Sequence, residues 1–390
     1  MPTRATTVNP DLLKWARNSL GLSIIEVAQR IHKSPAVVED WESGQSHPTF
    51  NQLELLADSV YRRPVAVFFF PAPPEEPSVA HDFRTLPGTE IDKLDRDTRL
   101  ALRDARAYQV SLSELSRGLN QAGDRLLTSS LQVDIRTNVS VLARLVREKL
   151  GFTVTQQSSW RSSTQAFKNW RIALEQVGIY VFKRSIEQRE ISGFCLNNPV
   201  FPIIIINNST PHTRQIFTLF HELAHLLFGV SSITTDLGLA NRLSGDAHTI
   251  EKKCNKFAAE FLVPTESFPW SLVDVEDVEG TARRLAQRYS VSREVILRKL
   301  LDQGHVSNEL YLEKATEWAR EAEEARTRRG PGGNYYATQA TYLGESFLNL
   351  GFSQYRSGIV SKAELADHFG MRAKTVGGLE DYILSRGQPR

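Results

Sequence analysis

Apolar residues recur at helical spacing along most of the chain, and the period changes in one stretch only. Four or five short helices are expected before Pro71. The pattern is helical again over Asp92–Leu119, Val141–Leu150 and Thr164–Val177. Then Gly178–Lys183, Ile191–Leu196 and Val200–Asn207 read as strands, with Asn197–Pro199 a hairpin turn between the last two. Thr213–Phe228 is strongly helical, and a further helix over Thr249–Leu262 stops before Pro264. Helices dominate from Glu279 onwards, and no long internal repeat interrupts them. The expected fold class is therefore α+β, mostly helical.

Three breaks divide this pattern. Pro71–Pro77 is proline-rich and acidic, which fits neither a helix interior nor a central strand. Gly118–Thr137 is a softer break of polar and small residues, and Arg328–Gly333 carries the strongest turn composition in the chain. A chain of 390 residues is too long for one ordinary core. The expected division is an all-α domain over 1–72, a linker and helical connector over 73–137, an α+β domain over 138–306 and a helical domain over 307–390.

Composition adds mostly exclusions. The formal net charge of +2 gives no global argument for nucleic acid or membrane, so any DNA contact must be argued locally. Two cysteines, Cys195 and Cys254, exclude a disulfide framework and a cysteine-based zinc site. The segment starting Met1-Pro-Thr-Arg lacks a signal-peptide apolar region, and no apolar run approaches the roughly 18 residues that span a bilayer. The apolar runs Val65–Phe70 and Ile203–Ile206 read as buried segments. A cytoplasmic, reducing location without membrane contact is expected.

The candidate chemistry lies in Phe217-Thr-Leu-Phe-His-Glu-Leu-Ala-His-Leu-Leu-Phe-Gly229. A four-residue spacing puts His221 and His225 on one helix face, one turn apart. Two neutral imidazoles there can ligate one zinc at about 2.0–2.1 Å. Glu222 projects beside the pair, where a carboxylate can deprotonate a metal-bound water. The bare pattern is weak, but the surrounding apolar residues make this a buried helix whose polar groups need partners. A catalytic zinc usually takes a third protein ligand. The downstream candidates are Glu251, His248, Glu260 and Asp236, of which Glu251 is favoured because it shares a face with Asn255 and Ala258. His212 and His248 read as structural or surface residues rather than oxyanion donors, and Arg214 as a structural ion-pair partner.

Two blocks here resemble the ImmA/IrrE metallopeptidases: Arg214-x-x-Phe-Thr-x-x-His-Glu-Leu-Ala-His225 and Glu251-x-x-x-Asn-x-Phe-Ala-Ala-Glu-Phe-Leu-Val-Pro264. The resemblance implies a zincin-like domain over about Val141–His305, with Glu251 as third ligand to Zn2+ and Glu222 as general base. By analogy with zincin-like sites, the hairpin Ile191–Asn207 is expected to hold a substrate backbone by β-pairing.

The first domain carries a second resemblance. Ser23-Ile-Ile-Glu26 is a capping box, and Val27, Ala28 and Ile31 give the helix behind it an apolar face. A tight turn follows; Ser34 is expected to cap the next helix, with Pro35 at its first position and Gly44 ending it. Two short helices so joined suggest a helix-turn-helix. Leu22-Ser-x-x-Glu-Val-Ala28, Ser34-Pro35, Trp41-Glu-x-Gly44 and Pro48-Thr49 resemble the XRE (Cro/C1-type) repressors. That resemblance implies DNA as partner, and the expected contacts are Ser23, Lys33, Ser34, Ala36, Val37 and Gln45. Against it, residues 20–50 hold two bases (Arg30, Lys33) and four acids (Glu26, Glu39, Asp40, Glu42), a local charge of −2.

Asp82-Phe-Arg84 resembles a segment common in chains joining these two domains and is assigned no chemistry. Tyr335, Tyr336, Tyr342 and Phe347 read as core, and Ser361–Gly370 as a helical subdomain or a homodimer contact. The sequence thus points to a cytoplasmic regulatory zinc metallopeptidase that cuts a protein such as a repressor or antitoxin. Its rivals are a transcriptional regulator whose metal site does not turn over and a toxin–antitoxin or defence module that binds a protein.

Overall fold

A computed structural model describes residues 7–76, 91, 93–131, 133–234, 245–327 and 333–387. Asp82–Arg84, Asp236 and most of the Arg328–Gly333 break lie outside the described residues. The chain divides into two compact units, Met1–Asp104 with Ile186–Gln188, and Ala105–Ser185 with Arg189–Arg390.

The first unit is a cluster of short helices whose ends are set by local side-chain chemistry. In α1 (Pro10–Ser19), Asn9 accepts from the Asp11 N–H and Pro10 opens the helix. In α2 (Ile24–Arg30) the Ser23/Glu26 capping box forms as expected. His32, at φ 54°, turns the chain into α3 (Pro35–Glu42). Ser34 occupies the cap position of α3, but its side chain makes no capping hydrogen bond, so Pro35 and the backbone define that start. A second capping box, Thr49 with Gln52, opens α4 (Phe50–Leu55), which runs on as a π-helical turn over Leu56–Tyr61. Leu12, Ala16, Val27, Val38, Trp41 and Leu53 form the core. Both guanidinium arms of Arg17 donate to the Glu42 carboxylate at 2.8 Å, tying α1 to α3.

Helix α5 (Arg96–Leu115) contains the boundary between the units. The second unit then brings α6 (Val139–Leu150), α7 (Ser163–Gln176) and three strands: β1 (Tyr180–Arg184), β2 (Gly193–Leu196) and β3 (Ile203–Asn207). β1 starts two residues after Gly178 because that glycine, at φ 85°, is still in the turn; a Cβ there would lie 2.6 Å from Leu126. Helix α8 (His212–Leu227) follows, then β4 (Ser232–Thr234) and α9 (Gly245–Leu262). The sheet order is β1-β3-β2-β4, with β1 parallel to β3 and β2 antiparallel to both its neighbours.

This order corrects one expectation. The β2–β3 hairpin forms, closed by residues 197–202, where the Asn198 side chain accepts from the Val200 and Phe201 amides at 2.9 Å. Both its strands are interior, however, with β1 beyond β3 and β4 beyond β2. Their backbone groups are already paired, so the hairpin offers no free edge to a substrate. The edge strand packed on α8 is β4, a three-residue strand too short to show as a period.

Val181, Cys195, Ile204 and Ile206 join one core with α6, α7, α8 and α9. Trp170 of α7 is fully buried there, edge-on to Phe220 at 5.1 Å and to Phe261 at 5.3 Å between ring centroids. Phe220 and Phe261 stack at 4.0 Å, which locks α8 against α9. Beyond α10 (Val278–Tyr289), α11 (Arg293–Asp302) and α12 (Asn308–Thr327), the chain ends in α13 (Tyr335–Leu343), α14 (Glu345–Arg356), α15 (Lys362–His368) and α16 (Val376–Gly387). Phe347 of α14 is buried as expected, against Phe182 at 5.2 Å, whereas Tyr335 is 45% exposed and is not core. Among the described residues no helix is long and apolar enough to cross a membrane.

Gly193 lets β2 approach α8. A Cβ there would stand 2.7 Å from the Ile205 carbonyl oxygen and 2.8 Å from Thr218 Cγ2. Gly193→Ala is expected to lower stability by about 1–3 kcal/mol, the usual cost of overpacking a close-fitted site. Chemical denaturation would check this, and an unchanged midpoint would show that the sheet and helix yield freely.

Candidate metal centre

Helix α8 is apolar on most sides, and its buried residues include Ile216, Leu219, Phe220, Leu223 and Leu226. That burial takes His221, Glu222 and His225 into the interior, at 1%, 0% and 2% exposure. Among the described residues α8 and α9 form the most extensive contact between two elements, and α9 delivers Glu251 to the same place. Ala224 of α8 and Ala258 of α9 are both fully buried in the shared core.

The ligand atoms of His221, His225 and Glu251 all lie within 4.8 Å of one another. The two Nε2 atoms are 3.0 Å apart. His221 Nε2 is 3.2 Å from Glu251 Oε2, and His225 Nε2 is 3.2 Å from Oε1. Ligands placed tetrahedrally about 2.05 Å from a zinc stand roughly 3.3 Å apart, so the spacing is that of three corners around one ion. The tautomer of His221 fits too. Asn255 Oδ1 accepts from His221 Nδ1–H at 2.9 Å, which turns the Nε2 lone pair toward His225 and Glu251. His225 Nδ1 is buried and hydrogen-bonds nothing among the described residues, so that ring is oriented from its Nε2 side. The residues present therefore fit a divalent metal.

Charge in the cluster is mutually dependent. Burial disfavours the His221 imidazolium, yet the Glu251 carboxylate, the Glu222 charge and Asn255 together outweigh it and raise the His221 pKa. Burial likewise works against the Glu251 carboxylate, but the two histidines hold its pKa well below the ordinary range. Without metal, these shifts favour a proton on His221 beside the ionised Glu251 carboxylate. Metal binding must displace that proton, so affinity falls as pH falls.

Glu222 accepts from Ser232 Oγ at 2.6 Å. Ser232 lies on β4 opposite Cys195 of β2, whose buried thiol is 3.5 Å from the same hydroxyl. The sheet edge thus fixes one oxygen of the carboxylate beside the cluster. Of the other residues weighed as ligands, Glu260 is engaged elsewhere: its carboxylate accepts from Thr265 and from Lys299 at 3.1 Å. His248 is not part of the cluster, and Asp236 lies outside the described residues. His212 opens α8, nine residues before His221, about 13 Å along the axis and too far to act at the site. Arg214 donates to Ser192 Oγ at 3.0 and 2.7 Å, a structural link from α8 to the start of β2.

Ser232 and Asn255 touch the candidate site residues, a placement that sequence reasoning did not assign. Asn255 carried a signal, since it follows Glu251 by one helical turn on the same face. Ser232 carried none, because its role depends on a strand pairing between residues 37 apart.

The residues expected to meet DNA lie on the first unit. Ser23, Lys33, Ser34, Ala36 and Gln45 are exposed, while Val37 is half-buried against the core. Ser23 Oγ is engaged in its capping box, accepting from the Glu26 amide and donating to the Glu26 carboxylate.

A buried His-Glu cluster across two packed helices, under a small mixed sheet, defines a metallopeptidase-like domain. The family comparison agrees: residues 174–301 match the IrrE N-terminal-like domain of the M78 peptidases. Residues 13–59 match the helix-turn-helix family. The chain therefore carries an IrrE-like domain and a helix-turn-helix, the two resemblances its motifs suggested. No curated protein matches the chain.

Asn255→Ala should cost about 10–100-fold in zinc affinity while leaving the chain folded, the usual effect of removing the partner that orients a ligating histidine. Competition with a chromophoric chelator measures it; unaltered affinity would mean that Asn255 does not set the ring.

Proposed function

We propose that this chain is a regulatory zinc endopeptidase that hydrolyses a peptide bond in a protein, such as a repressor or an antitoxin, and that its first unit binds DNA. The observation that carries the reading is the convergence of His221, His225 and Glu251 next to a carboxylate anchored by Ser232. His221, His225 and Glu251 would hold the ion. Zinc, when bound, supplies a Lewis acid that acidifies water and polarises a carbonyl. Glu222 takes the proton of the attacking water and returns it to the leaving amide nitrogen. Ser232 keeps that carboxylate in one orientation during both transfers. The buried surroundings exclude bulk water and strengthen each charge–dipole contact. On the first unit, Lys33, Ser34, Ala36 and Gln45 are exposed near the start and end of α3, where a helix-turn-helix meets the major groove.

A second reading rests on closure. His221, Glu222 and His225 are at most 2% exposed, which suits a metal site that senses or stabilises without turnover.

One experiment separates the two. Glu222→Gln is isosteric and should retain zinc while losing cleavage, so it should trap an intact partner for identification by mass spectrometry. The metal-loaded wild type should then cut that partner, and the variant should not. Cleavage by the variant at the wild-type rate removes Glu222 from the base role. Full zinc occupancy of the wild type with no cleavage of the trapped partner supports the sensing reading.

A further inference from the structure

The second unit contains a groove of about 590 Å³, away from the cluster residues, between the end of the short helix Val154–Ser158, the 3-10 turn Trp270–Leu272 and one face of α10. Its lining includes Arg161, Arg284 and Arg288 and no acidic residue. Other cations of α10 to α12 have carboxylates: Arg283 meets Glu279 at 2.9 Å, Arg298 meets Asp302 at 3.0 Å, and Lys314 meets Glu317 at 2.8 Å. Within the groove, Arg284 has only a distant one, Asp277 at 3.6 Å, and Arg161 and Arg288 have no carboxylate partner among the described residues.

Like charges one turn apart weaken a helix, and Arg284 and Arg288 are spaced in that way on α10. Arg161 lines the same groove and adds a third cation to it. Such a set is relieved by an anion, and guanidinium forks match phosphate oxygens in a planar, bidentate manner. The rest of the lining is not generic surface. Trp160 is half-buried and held edge-on to Phe152 at 5.3 Å and Trp170 at 4.8 Å, so its indole is rigid. Leu272 is 51% exposed. Ser158 Oγ is buried and has no hydrogen-bond partner among the described residues. An anionic ligand with a flat apolar part would meet the arginines, Trp160 and Leu272.

We infer that this groove binds a nucleotide, with the three arginines on its phosphates and Trp160 beside its base. An acidic peptide is the competing occupant. The groove is walled by helix and turn side chains and has no strand edge on which an extended backbone could pair. A compact phosphate ligand needs no such edge. The volume also falls within the range of about 300–1,000 Å³ usual for small-ligand sites.

Calorimetric titration of the metal-loaded full chain tests this. The probes are adenosine diphosphate with excess magnesium, inorganic phosphate, and a short polyglutamate peptide. Adenosine diphosphate should bind, and more tightly than inorganic phosphate. The double variant Arg284→Ala/Arg288→Ala should weaken it by at least ~10-fold, about 1.4 kcal/mol. A matching thermal midpoint for the variant would show that the fold survives, and Arg161→Ala alone should weaken binding in the same direction. No heat with the diphosphate, equal binding by wild type and variants, or tighter binding of the peptide would each overturn the assignment. Phosphate binding as tightly as the diphosphate would reduce the site to an adventitious ion only.

Discussion

Everything at the centre of this protein depends on the contact between α8 and α9. Each helix alone carries an incomplete ligand set. α8 offers two imidazoles one turn apart, and α9 offers one carboxylate. Burying those groups separately would leave each without a partner, at a cost of several kcal/mol per ionised group. The stacked rings of Phe220 and Phe261 and the small side chains Ala224 and Ala258 bring the helices close enough for the groups to satisfy one another. Apolar packing therefore provides the geometry, and the polar cluster fixes the register in which the helices meet.

The same cluster could be read as an ordinary buried ion pair, and its geometry argues otherwise. A structural pair needs one histidine and one carboxylate; here two Nε2 atoms stand 3.0 Å apart, and each is 3.2 Å from an oxygen of the same carboxylate. Three ligand atoms converging at that spacing suit one shared ion better than a pairwise bond. The buried Nδ1 of His225, which hydrogen-bonds nothing among the described residues, is an unmet bond in either role.

The helices, the three longer strands and the grouping of His221, Glu222 and His225 were legible in the sequence because each rests on local periodicity or on spacing within one helix. Glu251 lies on a second helix, where the face it shares with Asn255 and Ala258 favoured it over His248 and Glu260. The family's second signature block named it, and the fold shows the reason: Glu260 is held by Thr265 and Lys299. What stayed illegible was non-local. β4 has three residues and no period of its own, and it exists because β2 presents an edge to it. Taking the hairpin as the edge followed from the missing strand. Ser34 shows the opposite limit: a residue with the right type at the right position whose side chain does not form the expected bond, because Pro35 already sets the backbone.

The local charge of −2 over residues 20–50 looked like an argument against DNA, and the fold changes its weight. A sum over a sequence window counts Glu42 as a free acid. In the fold Glu42 is nearly buried and takes both arms of Arg17, which lies outside that window. The hydrogen bond to Glu42 raises the Arg17 pKa against the opposing effect of burial, so the guanidinium stays charged beside the carboxylate. Glu26 is held at the start of α2 by the Ser23 backbone and hydroxyl, where the positive end of the helix offsets it. The acids left to oppose a phosphate backbone are Glu39 and Asp40, matched in number by Arg30 and Lys33. Phosphate attraction is thus weak rather than reversed, and a DNA complex of this unit must draw on backbone amides, Gln45 and shape more than on net charge.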